Sequence, residues 1–286
     1  MATVGTSDKH NNVEEPEDLA VDWRARSLAV KAFSHAANAA SLRGTRGAGA
    51  PRVLVQYWDD AAVPTDVAAC MATWDPLRNI GFERVTFDRA RARRFISHTF
   101  SKFHRAAFEA ARHPAIRSDY FRLCYLASRG GWYVDADDAY QDTDMTPLLE
   151  PRGLRVQALC YNLDDDRMMD AARALAGPDH QNVIHYVNND PLIARPQHPV
   201  LLATLRNATS TLLRQQSIGQ VDVQAIAGPG ALTLELARHN QDGSLIGAEL
   251  DVEVRTDWDR YAHPVWDLEY RRDGHDWRTW DGEDSI

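Results

Sequence analysis

Residues 115–137 read Ala-Ile-Arg-Ser-Asp-Tyr-Phe-Arg-Leu-Cys-Tyr-Leu-Ala-Ser-Arg-Gly-Gly-Trp-Tyr-Val-Asp-Ala-Asp. The pattern predicts a helix that ends at Gly130-Gly131, followed by a short apolar strand over 132–134. Asp135 and Asp137 come at the far end of that strand. Two carboxylates one residue apart at a strand end suit a hard divalent cation, which usually serves to hold phosphate oxygens. This stretch therefore fits a cation site at the end of a buried strand, and a solvated acidic turn is the structural alternative.

The predicted helix carries two charged residues with helical spacing. Asp119 and Arg122 are three positions apart, so both side chains can project from one helix face. One interpretation is a surface ion pair, which would stabilise the fold by only ~0–1 kcal/mol. The other is a pair of groups that binds a ligand beside the cation.

The composition limits the class of protein. The chain has 286 residues and a formal net charge of −9, which argues against nucleic acid as a general partner. Its three cysteines form no CxxC pair, which favours a reducing compartment. We see no secretory signal at the start and no run of the ~20 apolar residues that a membrane span needs. We therefore expect a cytoplasmic protein without a transmembrane segment.

The order of predicted elements indicates an α/β fold. Residues 1–50 are expected to form a disordered or helical extension, with a helix over 17–42, and residues 51–286 the main domain. Apolar runs predict strands over 52–58, 82–87, 131–135, 156–161 and 183–188. Helices are predicted near 64–78, two or three times within 88–129, and over 164–175, 198–216 and 229–239. Strands that alternate with helices predict a mainly parallel twisted sheet flanked by helices, with ligands at the carboxyl ends of its strands.

The central stretch also resembles a known family. It is similar to the "SD-R-L-GG-Y-DxD" signature of the DxD sugar-binding glycosyltransferases of family 32, which include yeast initiating mannosyltransferases, bacterial capsule glycosyltransferases and clostridial glucosylating toxins. The matching residues are Ser118, Asp119, Arg122, Leu126, Gly130, Gly131, Tyr133, Asp135 and Asp137. Three further segments, 51–58, 188–199 and 228–233, resemble other parts of that family.

The resemblance implies a GT-A-type nucleotide-sugar-binding fold and a metal-dependent, retaining hexosyltransferase that uses a UDP- or GDP-sugar. It implies that Asp137 ligates Mn²⁺ (or Mg²⁺) directly and that Asp135 contacts the ribose or sugar and reaches the metal through water. Asp119 and Arg122, as catalytic residues with these two, would bind hydroxyls of the donor sugar. Tyr133 is also implied in donor binding.

Other positions are less well defined by the resemblance. By analogy, Trp58 would pack beside the nucleotide base, whereas a core tryptophan is the structural alternative. The remaining metal ligands stay open, with His263 or the 275–277 run as candidates. Asp138, Asp142 and Asp144 lie beyond the motif and are expected to be solvated.

Two other functions remain open from the sequence. Strand 132–134 followed by Asp135 and Asp137 also fits the start of the haloacid-dehalogenase-type phosphatase motif, although Ala139 stands where that motif has Thr or Val. A catalytically inactive module that binds nucleotide-sugars would keep the same residues. The acceptor of an active enzyme is undetermined between a polysaccharide precursor, a protein side chain and a secondary metabolite.

Overall fold

The computed structural model describes residues 22–41, 48–214, 223–241 and 251–272. Its helices are α1 (Trp23–Ser41), α2 (Thr65–Ala72), α3 (Arg89–Thr99), α4 (Lys102–Ala110), α5 (Pro114–Arg129), α6 (Thr146–Leu149), α7 (Ala171–Ala176), α8 (Pro199–Arg214), α9 (Val223–Ile226) and α10 (Pro229–Gln241). Its strands are β1 (Val53–Tyr57), β2 (Glu83–Phe87), β3 (Gly131–Tyr133), β4 (Asp138–Tyr140), β5 (Leu154–Asn162), β6 (Arg167–Met169), β7 (Val183–Ala194), β8 (Val252–Arg255) and β9 (Ala262–Pro264).

One large sheet organises the described residues. Its order is β2-β1-β3-β7-β5-β6, and β8 also pairs with β5. Strand β1 is parallel to β2 and β3, β7 is antiparallel to β3 and β5, and β5 is parallel to β8 and antiparallel to β6. Strands β1, β2, β3, β5 and β8 therefore share one direction, and β7 and β6 oppose it. The predicted α/β class, with a mainly parallel sheet flanked by helices, is confirmed.

Side-chain alternation in the strands separates two cores. Val55 of β1 and Tyr133 of β3 face the larger core, which the helices α1, α5, α8 and α10 complete. Leu54 and Trp132 point the other way, into a smaller core that contains Trp74 and Trp258. The sheet is thus buried on both faces near its centre, which explains the uninterrupted apolar runs of β1 and β3.

Helix α1 belongs to the larger core. Val30 and Phe33 are buried there, and Ser27 Oγ donates to the Val183 carbonyl at 3.1 Å and accepts from the His185 amide at 2.8 Å. The predicted helix over 17–42 is therefore present where the structure describes it, and its expected start lies outside the described residues. The division of the chain at residue 51 stays a prediction.

One predicted helix is wrong. Residues 164–175 were expected to form a single helix, but they form a turn, the short strand β6 and the short helix α7. The Asn162 side-chain oxygen accepts from the Asp164 amide at 2.9 Å, and Asp166 has a positive φ of 51°. Asn and Asp favour such turns over helix interiors, so the chain reverses into a β5–β6 hairpin.

No helix among the described residues is long and apolar enough to span a membrane.

Candidate active site

The double glycine places the end of α5 and the start of β3. Gly130 has φ +66° and ψ −173°, a region that is open essentially to glycine alone. A Cβ there would lie 2.7 Å from the Ala194 carbonyl oxygen, and one on Gly131 would lie 2.9 Å from the Val53 carbonyl oxygen. The chain can therefore leave the helix and enter β3 between β1 and β7. This turn brings the α5 charges over the end of β3.

Arg122 is the central cation of the site. Its Nη2 lies 2.8 Å from Asp135 Oδ1 and 3.0 Å from Asp119 Oδ1, and its Nη1 donates to the Asn189 carbonyl at 2.7 Å. The guanidinium also lies over the Tyr133 ring, 4.3 Å from its centroid. Arg122 and Asp119 are 3% and 8% exposed, so the surface ion pair considered from the sequence is wrong.

Burial perturbs the Asp119 carboxylate. It raises the pKa of Asp119 to about 6, although the Arg122 charge and the Asn189 hydrogen bond oppose the rise. That hydrogen bond runs from Asn189 Nδ2 to Asp119 Oδ1 at 2.8 Å. Asp119 is therefore largely ionised above neutral pH and can accept hydrogen bonds from a ligand.

The two aspartates after β3 have different partners. Asp135 is held by Arg122 through its side chain, and its amide donates to Asp190 Oδ1 at 2.9 Å. Asp137 Oδ2 accepts a 2.6 Å hydrogen bond from Tyr270 Oη and forms an ion pair with Arg271. The structure therefore brings Asp119, Arg122 and Asp135 into one network. Asp137 lies beside this network, where Tyr270 and Arg271 contact it.

Asp138 is not solvated as expected. It is 3% exposed, because it begins β4 and the pairing of β4 with β9 turns it inward, while its carbonyl accepts from Trp74 Nε1 at 2.9 Å. Burial, followed by repulsion from Asp135 and Asp137, raises the pKa of Asp138 to about 7. Asp142 and Asp144 are exposed, as expected.

Sequence reasoning also missed Asp190, Tyr270 and Arg271. Asp190 is 9% exposed, and burial raises its pKa well above the usual range, with Asp135 and Asp138 adding to the effect. Its signal was present in the acidic end of Asn188-Asn189-Asp190. Nothing in the Trp- and Asp-rich tail marked Tyr270 and Arg271 as partners of a residue more than a hundred positions earlier.

The remaining predicted residues lie at different depths. Trp58 follows β1 and lines the cavity, with its ring edge-on to Tyr270 at 5.1 Å between centroids. Tyr133 is fully buried beneath Arg122, where its hydroxyl bonds to Ser118 Oγ at 2.7 Å, so it positions Arg122 from outside the cavity wall. His263 lies on β9 and lines the cavity, whereas the 275–277 run lies outside the described residues.

These side chains open into one large cavity of ≈ 1140 Å³. Its wall runs from Trp58 past Asp135 and Asp137 to Asn188 and Gln157. The cavity lies at the carboxyl ends of β1 and β3, where open α/β sheets bind their ligands. Its volume slightly exceeds the ~300–1,000 Å³ of ordinary small-ligand pockets, so there is room for more than one reactant.

The donor atoms fit a hard divalent cation. Asp135 and Asp137 offer carboxylate oxygens, the ligand type that Mg²⁺ and Mn²⁺ prefer. Burial raises the pKa of Asp135, and the charge of Asp137 adds to this, so a cation between them would relieve unfavourable negative charge. Among the described residues no group of three or more His, Cys, Asp and Glu side chains forms a ready metal site. Asp135 and Asp137 by themselves would leave coordination positions of a cation for other ligands, such as the substrate and water that Mg²⁺ commonly takes.

No protein-family model matches the chain, and no curated protein sequence matches it. Among solved structures, the chain is similar to one described as "PaToxG Glycosyltransferase". The TM-score is 0.48 at 18% sequence identity, and the match covers 79% of this chain and 83% of that chain. A likeness at this level does not bear on the chemistry of the site, so the functional proposal rests on the site geometry and the sequence motif.

Proposed function

We propose that this protein is a metal-dependent glycosyltransferase of the GT-A type, which moves a hexose from a UDP- or GDP-sugar to an acceptor. The observation that carries the proposal is the buried network of Asp119, Arg122 and Asp135 beside Asp137, at the strand ends of a cavity large enough for two substrates. The DxD-type sequence motif supplies the same four residues. A lone pair of aspartates would not support this reading.

Each residue has a proposed role that follows from its contacts. Asp137 would hold Mn²⁺ or Mg²⁺ with Asp135 beside it, whose side chain is 34% exposed against 15% for Asp137. We call these two aspartates the acidic centre. The bound cation would supply Lewis-acid stabilisation of the departing diphosphate. Trp58, on the β1 side of Asp135, offers an aromatic face for the nucleotide base, and Tyr270 limits its movement.

Asp119 and Arg122 would orient the donor sugar. Asp119 Oδ1 is already engaged by Arg122 and Asn189, so its Oδ2 is the atom that can accept from a sugar hydroxyl. That oxygen lies 2.8 Å from where a Cβ on Gly228 would stand, so the glycine keeps room beside it. Arg122 fixes the two carboxylates relative to each other, which is the positioning a transfer reaction requires.

Retention of anomeric configuration remains a prediction from the family resemblance. Proton NMR of the transfer product distinguishes an α- from a β-linked hexose. An anomer opposite to that of the donor would show inversion and remove this part of the proposal.

The proposed function is tested with a panel of UDP-, GDP- and dTDP-sugars. For each sugar nucleotide, the shift in melting temperature and the rate of donor hydrolysis are measured with Mn²⁺ and with EDTA. We expect one donor to raise the melting temperature only with the metal and to be hydrolysed slowly. Stabilisation without turnover, even when acceptors are supplied, would indicate the inactive binding module. No response to any donor, combined with cleavage of a simple phosphate ester, would favour the phosphatase.

A further inference from the structure

The cavity continues beyond the acidic centre along the outer part of the sheet. The β5–β7 register pairs Gln157 with Asn188, Leu159 with Tyr186 and Tyr161 with Ile184. Directly opposed residues of antiparallel strands point to the same face, so these three pairs form one continuous floor. All of them line the cavity.

The floor changes character along its length. It is polar at Gln157 and Asn188, which lie next to the acidic centre, and apolar from there outward. Met168 of β6 pairs with Tyr161 and extends the apolar part. We call the apolar part the distal limb; its residues are Leu159, Tyr161, Met168, Ile184 and Tyr186. Tyr161 lies four positions along β5 from Gln157, which corresponds to about 13 Å of strand.

The opposite face of the same strands is ordinary core. Ala158, Cys160 and Val187 point there and are buried beneath the helices. The distal limb, in contrast, remains accessible, and Met168 is 48% exposed. An exposed sheet face normally carries polar side chains. The accessible face of these strands is instead apolar, which is typical of a face that binds a ligand.

The sheet order separates the distal limb from the nucleotide side. Trp58 follows β1, the acidic centre follows β3, and the limb lies on β7, β5 and β6, further along the order β1-β3-β7-β5-β6. At about 4.8 Å per strand, β1 and β5 are roughly 14 Å apart. The acidic centre therefore lies between the two parts of the cavity, and a donor whose base contacts Trp58 leaves the limb for the second substrate.

We infer that the distal limb binds the body of the acceptor, and that this acceptor is a small hydroxylated molecule with an uncharged, apolar body. This inference rests on the proposed transferase function. The five limb residues carry no charge, so none of them pairs with a phosphate, although Arg26 lines the same cavity. Leu159 and Ile184 offer no hydrogen bonds, and the hydroxyls of Tyr161 and Tyr186 already donate to Asp166 and to Met168 Sδ. Desolvation of the many hydroxyls of an oligosaccharide would therefore be uncompensated. The acceptor hydroxyl would point toward the polar end of the floor.

The experiment compares apolar alcohols with sugars as acceptors. 2-Phenylethanol and 1-octanol are supplied beside glucose and maltotriose, with the donor found in the panel above, and products are identified by mass spectrometry. In parallel, saturation-transfer-difference NMR measures binding of 2-phenylethanol without any donor. We expect transfer to the alcohols in preference to the sugars, and a binding signal from 2-phenylethanol.

Leu159→Ser is the informative variant, and Leu163→Ser is its matched control, because Leu163 is 44% exposed and lies outside the cavity wall. We expect Leu159→Ser to raise the KM for 2-phenylethanol about tenfold, which corresponds to ~1.4 kcal/mol of lost binding, and Leu163→Ser to match the wild type. Circular dichroism shows whether both variants fold.

The outcomes separate this inference from the proposed function. Preference for maltotriose, or equal 2-phenylethanol binding by wild type and folded Leu159→Ser, overturns the acceptor assignment while the transferase proposal stands. Binding of 2-phenylethanol that Leu159→Ser abolishes, without hydrolysis of any donor, supports the limb as a site and removes the transferase function.

Discussion

Removal of the Arg271 charge should strengthen cation binding and weaken donor binding. It forms an ion pair with Asp137, the proposed cation ligand, and its guanidinium lies 4.7 Å from the centroid of the Trp266 ring. Both partners of the pair are largely enclosed, with side chains 13% and 15% exposed. A cation at Asp137 would compete with Arg271 for this carboxylate, and a displaced Arg271 could pair with an anionic diphosphate. Substitution of Arg271 by Met removes the charge and keeps an unbranched stem over Trp266.

The expected magnitude follows from the broken contact. A hydrogen bond between charged groups contributes roughly 1.5–3 kcal/mol, and tenfold in an equilibrium constant corresponds to about 1.4 kcal/mol. Without the competing Arg271, Mn²⁺ alone should bind about 10–100-fold more tightly. UDP or GDP, added to Mn²⁺-saturated protein, should bind about 10–100-fold more weakly, because the contact from Arg271 to the diphosphate is lost.

Isothermal titration calorimetry measures both affinities on the same protein. Arg272→Met is the matched control, because Arg272 is the neighbouring residue, is 68% exposed and pairs with Asp267 at the surface. The control should bind Mn²⁺ and nucleotide as the wild type does. Weaker or unchanged Mn²⁺ binding by Arg271→Met would refute the competition between Arg271 and the cation.

Three further changes test other parts of the account. Burial, with a smaller effect of Lys31, lowers the pKa of His185 from 6.5 to about 4. As pH falls from 6.5 to 4, the unfolded chain therefore protonates this imidazole while the folded protein does not, and the free energy of unfolding decreases. In urea titrations His185→Gln should remove up to about 3 kcal/mol of that loss, and an unchanged pH dependence would contradict this reasoning. Gly130→Ala should lower the free energy of unfolding by about 2–4 kcal/mol, through its forbidden backbone region and the contact with the Ala194 carbonyl; denaturant melts would show a smaller loss if the turn can relax. Arg122→Lys, in which a point charge replaces a fork that holds two carboxylates, should reduce kcat/KM for transfer at least about 100-fold, and near-normal turnover would remove Arg122 from the machinery.

Local patterns predicted the centre of the fold well. The helix with Asp119 and Arg122, the double glycine and the strand before Asp135 are present as predicted, because each depends on residues within one turn or one strand. The apolar runs likewise marked β1 and the first half of β7, whereas the continuation of β7 from 189 to 194 was not predicted. The misplaced helix at 164–175 shows the limit of such patterns, since a single Asn side chain at position 162 helps to convert a helical composition into a hairpin.

The site itself was only partly predictable, because several of its contacts span the chain. Asp138 appeared to be part of an exposed acidic loop, and only its pairing with β9 makes it a buried carboxylate. The bond from Tyr270 to Asp137 joins residues 133 positions apart. The distal limb depends on which residues of β5 and β7 lie opposite one another. Alternation of side chains within each strand does not by itself specify that pairing.

The rate of Mn²⁺-dependent nucleotide-sugar hydrolysis by wild type and by Asp137→Asn tests most directly whether Asp137 holds a catalytic cation. We expect the wild type to hydrolyse one UDP- or GDP-hexose with Mn²⁺ and not with EDTA. Asp137→Asn should lose at least about 10²-fold of this rate while circular dichroism shows the native fold, because an amide is a poorer cation ligand than a carboxylate. Its melting temperature should fall by no more than the loss of the Arg271 ion pair explains. Undiminished hydrolysis by Asp137→Asn would contradict the claim that Asp137 holds the cation that makes this site a glycosyltransferase.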